Sequence, residues 1–124
     1  MIYLATPYWH DDEKIRRQRA HAAIYITRAF IRRGVAMFSP IAHSYALLEE
    51  FGPLPLTNAQ WADQCLGYLE RSSYMLVAQI DGWQQSKGVE KEVLYCNSRG
   101  IPVTYMNSVS SDSIISAEMN ISAA

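Results

Sequence analysis

The stretch YMLVAQIDGWQQSKGVEKEVLYCNSRGIPVTY, residues 74–105, holds the decision about the fold. Residues 74–80 form a mostly apolar run of strand length, which Asp81 and Gly82 break. Ser86 is a good helix N-cap, the pattern reads as helix over residues 86–99, and Gly100 is a natural stop. Residues 101–105 then read as another strand. Strand, helix and strand in so short a span imply two parallel strands joined by a right-handed crossover.

Working outward, the same alternation recurs towards the N-terminus. Residues 2–5 are a short apolar strand ended by Thr6-Pro7-Tyr8. Asp11 and Asp12 offer an N-cap and first-turn negative charge to a long helix, in which Ile15, Ala22, Ala23, Ile26 and Phe30 recur at helical spacing up to Arg33 and Gly34. Residues 35–38 form a second strand, cut off by Ser39-Pro40. Residues 41–50 suit a short helix, Gly52-Pro53-Leu54-Pro55 breaks the chain, and Thr57-Asn58-Ala59-Gln60 resembles a capping box that starts a helix running to about Arg71. The order predicts an α/β domain over residues 1–106, a parallel sheet of four to five strands with helices on both faces. The remainder, residues 107–124, is rich in Ser, Ala and Asn. It fits a short helix, a fifth strand, or an arm lying on another subunit.

With 124 residues the chain has room for one core. Lys and Arg number 11 against 12 Asp and Glu, a net charge of −1, so the charge balance does not favour a nucleic-acid partner. Cys65 and Cys96 are far apart, with no CxxC and no cysteine–histidine cluster, so we expect two buried thiols and neither a disulfide framework nor a metal site. Without a signal-like start or an apolar run of membrane-spanning length, the expected location is cytoplasmic, with no membrane partner.

In a parallel sheet, ligands bind beyond the carboxyl ends of the strands. That rule selects the loops at residues 6–12, 39–44 and 81–88, and whatever follows Tyr105. In the first, Tyr8, Trp9 and His10 suit stacking on a planar ring, and Arg16, Arg17 and Arg19 suit a phosphate. The alternative is a covered sheet end and a solvated helix face. In the second, His43 stands beside Ser39 and Ser44, as a ligand contact or proton carrier, or as a structural histidine. In the third, Ser86 caps a helix whose amides favour an anion, and Gly88 allows close backbone approach. Glu90 and Glu92 lie about 200° apart around that helix, so they cannot both face one site. Either both are ordinary first-turn acids, or Glu92 points into the crevice. The three-glycine dinucleotide fingerprint and the P-loop are missing, so neither a classical dinucleotide cofactor nor a P-loop triphosphate is expected, and the missing G-x-S-x-G elbow argues against a hydrolase of that type.

Ile2-Tyr3-Leu4-Ala5-Thr6-Pro7-Tyr8, Phe38-Ser39-Pro40-Ile41-Ala42-His43-Ser44, and Asp81-Gly82-Trp83 with Ser86-Lys87-Gly88-Val89-Glu90-Lys91-Glu92 together resemble the nucleoside 2-deoxyribosyltransferase-like superfamily, over residues 1 to about 106. The resemblance implies a three-layer flavodoxin-like fold, a homodimer or larger homo-oligomer, and cleavage of the N-glycosidic bond of a (deoxy)nucleoside or nucleoside 5′-monophosphate. In the pattern S-x-G-V-x-x-E the last Glu is the nucleophile; that position is Glu92 here, and Ser86 takes the place of a residue that contacts the sugar or its phosphate. Tyr3, Pro7, Tyr8, Arg19, His43 and Gly88 would complete the pocket, and no metal or other cofactor is implied. The sugar passes to another base in transferases and to water in hydrolases.

One position departs from the pattern. An acid that assists base departure usually lies four residues ahead of a leucine on the helix before the third strand; counting back from Leu69 gives Cys65. Asp63 is two residues earlier, about 200° away. Either that helix is shifted, Asp63 or Asp81 substitutes, or base departure is unassisted. In the last case the chain is a weak enzyme or a nucleotide-binding, sequestering protein.

Overall fold

The computed structural model describes residues 1–107. Its elements run β1 (Ile2–Ala5), α1 (Glu13–Arg32), β2 (Met37–Phe38), α2 (Pro40–Phe51), α3 (Asn58–Leu69), β3 (Tyr74–Ala78), a 3-10 turn (Trp83–Gln85), α4 (Lys87–Arg99) and β4 (Val103–Met106). The four strands are all parallel, in the order β2-β1-β3-β4. This is the predicted three-layer flavodoxin-like α/β fold. Apart from Asn107, the expectation for residues 107–124 lies outside the described residues.

Each strand feeds both layers because its side chains alternate. Ile2 and Leu4 of β1, with Leu76 and Ala78 of β3, pack beneath Ile26 and Phe30 of α1. Tyr3 and Ala5, with Met75 and Val77, face Leu69 of α3 and Val89 and Cys96 of α4 on the other side. Burial on both faces explains why β1 and β3 read as nearly continuous apolar runs. The strand order reverses direction between β1 and β3, where a doubly wound sheet opens its crevice.

Local chemistry sets the ends. The Asp12 carboxylate accepts from the Lys14 amide at 2.9 Å, starting α1. At α3 the predicted capping box is present: Gln60 N–H donates to Thr57 Oγ1 (3.2 Å) and Thr57 N–H to Gln60 Oε1 (2.8 Å). Two strands are shorter at the start than their apolar runs suggested. Val35 N–H turns back to Phe30 O, and Ile101 N–H to Cys96 O, so these amides close the preceding helices instead of joining the sheet.

Candidate functional site

The centre of the site is a pairing across the sheet–helix boundary. Tyr3, fully buried in β1, directs its hydroxyl along the face that α4 covers, where it donates to Glu92 Oε2. Glu92 lies in the second turn of α4 and is half-buried, whereas Glu90 is exposed. The 200° separation of the two acids thus becomes a division between the sheet side of the helix and solvent. Burial pushes the Glu92 carboxyl up to about 7, against the opposing pull of the Tyr3 hydrogen bond. The Tyr3 phenol rises above its ordinary value through burial and the Glu92 charge, so it remains a donor.

Cys65, on the crevice side of α3, is the third member. Burial pushes its thiol up, the hydrogen-bonded Tyr3 hydroxyl pulls it down, and the Glu92 charge adds to the rise. Cys65, four residues ahead of Leu69 on α3, thus reaches Tyr3 and Glu92, and it carries a thiol. Cys96, fully buried one turn beyond Glu92, is raised to about 11 by burial and the same carboxylate.

Beside this triad the crevice opens as a cleft of about 210 Å³. Phe38, at the end of β2, pairs with Tyr3 across the sheet and stacks on Tyr68 of α3, ring centres 3.8 Å apart and planes within 10°. His43, in the first turn of α2, tilts against Phe38 at 5.6 Å. Trp61, Gln64, Leu47, Leu54 and Leu56 complete the wall. Cys65 belongs to both the cleft wall and the buried Tyr3–Glu92 cluster, joining one to the other.

Ser86 caps α4 by accepting from Val89 N–H at 3.2 Å. The amides of Lys87 and Gly88 precede the helical ladder and point outward from the positive end of the helix. A Cβ at Gly88 would meet only Ser86 Oγ at 3.8 Å, so packing within the fold does not demand glycine there. Of the three arginines of the first helix, Arg16 donates to the His10 and Asp11 carbonyls and lies over the Trp9 ring, and Arg17 pairs with Glu13. Arg19 instead reaches across the crevice edge, donating to Trp9 O at 2.7 Å while its guanidinium covers Gly82. Its Nε is buried without a partner, as is Thr6 Oγ1 at the end of β1. Pro7 is buried and Tyr8 half-buried beside them.

The structure thus brings Tyr3, Glu92 and Cys65 together, with His43 on the adjoining cleft and Ser86 and Gly88 at the head of the same helix. Asp81 is exposed before the 3-10 turn, and Asp63 is exposed on α3 beside an open depression that Arg71 also lines. Among the described residues, neither hydrogen-bonds to Tyr3 or Glu92. Phe38 and Tyr68 were not anticipated as site residues. The spacing of Tyr68, one turn after Cys65 on the same helix face, was the available signal.

Among the described residues no His, Cys, Asp and Glu cluster is suited to a metal ion, and no helix is long and apolar enough to cross a membrane. No curated protein matches the chain in sequence. Residues 1–108, spanning the whole sheet and every site residue above, match one family model, and the chain belongs to that family, described as a domain of unknown function (DUF1937).

Proposed function

We propose that the protein cleaves the N-glycosidic bond of a (deoxy)nucleoside or nucleoside 5′-monophosphate, with Glu92 as the nucleophile. The observation that carries this reading is the half-buried Glu92 carboxylate, held by the Tyr3 hydroxyl next to an aromatic cleft at the sheet's switch point. A carboxylate so placed can attack an anomeric carbon and form a glycosyl ester through an oxocarbenium-like transition state. The Tyr3 hydrogen bond fixes which oxygen stays bound and which is free to attack. The cleft takes the base, and the α4 N-terminus with Ser86 takes the sugar or its phosphate, assisted by Arg19. Water or a second base then resolves the ester. Asp81, exposed and away from the triad, is the weakest member of the expected set.

A homo-oligomer belongs to the same reading. Leu47 and Leu54 of the cleft wall are exposed, as is Phe51 at the end of α2, at 88%, apolar surface that a second copy would cover. Light scattering on the purified chain tests it.

The test of activity is incubation with a panel of nucleosides and monophosphates, with free base followed by chromatography. Base release that is lost in Glu92→Ala supports the reading; release at the same rate in that variant removes it. A second reading, a nucleotide-binding protein without turnover, is favoured by the thiol at Cys65. Calorimetric binding with intact ligand recovered afterwards would select it.

A further inference from the structure

The cleft beside Glu92 is mostly apolar. Phe38, Trp61 and Tyr68 give it aromatic faces and three leucines give it aliphatic ones; His43, Ser44 and Gln64 are polar groups on it, and among the described residues no Asp, Glu, Lys or Arg stands on its wall. Where the cleft meets Glu92, the side chain is the Cys65 thiol. Asp63 and Asp81 are both exposed elsewhere.

These facts constrain the leaving group. When a neutral base departs, the electron pair of the C1′–N bond makes the ring an anion unless a proton arrives. A positioned acid contributes about 10²–10⁴-fold to such a step. A thiol is a far weaker proton donor than a carboxylic acid, and the neighbouring carboxylate makes loss of its proton harder still. The His43 imidazole on the same wall lies against the Phe38 and Tyr68 rings, at 5.6 and 6.3 Å between centres, and among the described residues it makes no hydrogen bond to Glu92. A ring that is already cationic needs no proton, because the departing electron pair neutralises it. Aromatic faces also attract a cationic ring, and a wall without ammonium or guanidinium groups does not repel one.

We propose that the cleft formed by Phe38, Tyr68 and Cys65 selects N-glycosides of a cationic heteroaromatic ring, such as pyridinium or N7-alkylpurine nucleosides and their 5′-phosphates, over neutral nucleosides. The proposal rests on the Glu92 nucleophile reading and specifies its substrate. In the first step a Glu92 oxygen bonds to C1′ as the C1′–N bond breaks; both electrons pass to the ring, which leaves uncharged, and no proton moves. In the second, a water oxygen bonds to C1′, the ester bond breaks to regenerate the Glu92 carboxylate, and the proton of water goes to solvent. Cationic glycoside and water give neutral base, free sugar and one proton.

The experiment compares matched pairs on the full chain: nicotinamide riboside with its uncharged 1,4-dihydro form, and 7-methylguanosine with guanosine. Base release is followed by chromatography, and the rate of Glu92→Ala is subtracted. The expected kcat/KM preference for the cationic member is about 100-fold. Cys65→Asp, which adds the missing acid, is expected to raise turnover of the neutral member at least tenfold, and Tyr68→Ala to raise KM for the cationic one; melting curves confirm that both variants fold. A preference below tenfold in both pairs, with Glu92-dependent release intact, overturns the selection and leaves the nucleophile in place. No Glu92-dependent release from any of the four compounds overturns both.

Discussion

The hydroxyl of Tyr3, the second residue of β1, donates to the carboxylate of Glu92 in α4, a residue 89 positions away in the chain. The bond ties a central strand of the sheet to the helix that joins β3 to β4, and it holds a carboxylate beside Cys65 instead of letting it turn to solvent. Tyr3→Phe keeps the ring against Phe38 and removes only the donor. A hydrogen bond to a charged acceptor is worth about 1.5–3 kcal/mol, so base release at pH 7 is expected to fall at least tenfold. Unchanged kinetics would mean that the bond has no part in turnover.

The acid limb of the activity profile follows from Glu92. With its carboxyl at about 7, the attacking carboxylate becomes populated only as pH rises through neutrality, so kcat/KM is expected to climb between about pH 6 and 8 and then level. In Tyr3→Phe the opposing pull is gone, and the midpoint moves to higher pH. Steady-state kinetics across that range measures both.

Stability carries the opposite sign. A carboxyl raised from 4.5 to about 7 on folding makes the folded state hold the proton more tightly than the unfolded chain, so stability falls as pH rises from about 4.5 to 7. Glu92→Gln removes the penalty while keeping an acceptor for Tyr3. It is expected to be more stable than the parent by about 1–3 kcal/mol at pH 8, with little difference at pH 4, as read from urea unfolding.

Gly82 couples the β1 and β3 loops. Its φ of +92° lies where L-residues are strained, and a Cβ there would stand 2.9 Å from Arg19 Cζ. Gly82→Ala is expected to cost about 1–2 kcal/mol and to displace Arg19 from the crevice edge. Thermal melting reads the first effect. A raised KM for monophosphates relative to nucleosides reads the second.

The layers of the fold were legible in the sequence because β1 and β3 are buried on both faces and the helices carry clear caps at Asp12, Thr57 and Ser86. Less legible were the strand starts at Val35 and Ile101, where helix C-caps capture amides that the apolar run alone would assign to the sheet. Of the site, Glu92 could be separated from Glu90 by angle and motif. Its grip by Tyr3 could not be read, since it depends on which face of β1 meets α4. Cys65 could be placed by counting from Leu69, but its contact with the pair needed the packing of α3. Phe38 could be placed in a strand and Tyr68 on the helix of Cys65, but their mutual stacking at the cleft shows only in the packing.

The central claim is that Glu92 bonds covalently to the sugar. A 2-deoxy-2-fluoro nucleoside slows both steps of such a mechanism, and a nucleoside with a good leaving base lets the ester accumulate. Mass spectrometry of the quenched and digested protein is expected to find the fluorosugar mass on the peptide containing Glu92, absent in Glu92→Gln. An unmodified Glu92 peptide, together with Glu92→Gln releasing base as fast as the parent, would contradict the account.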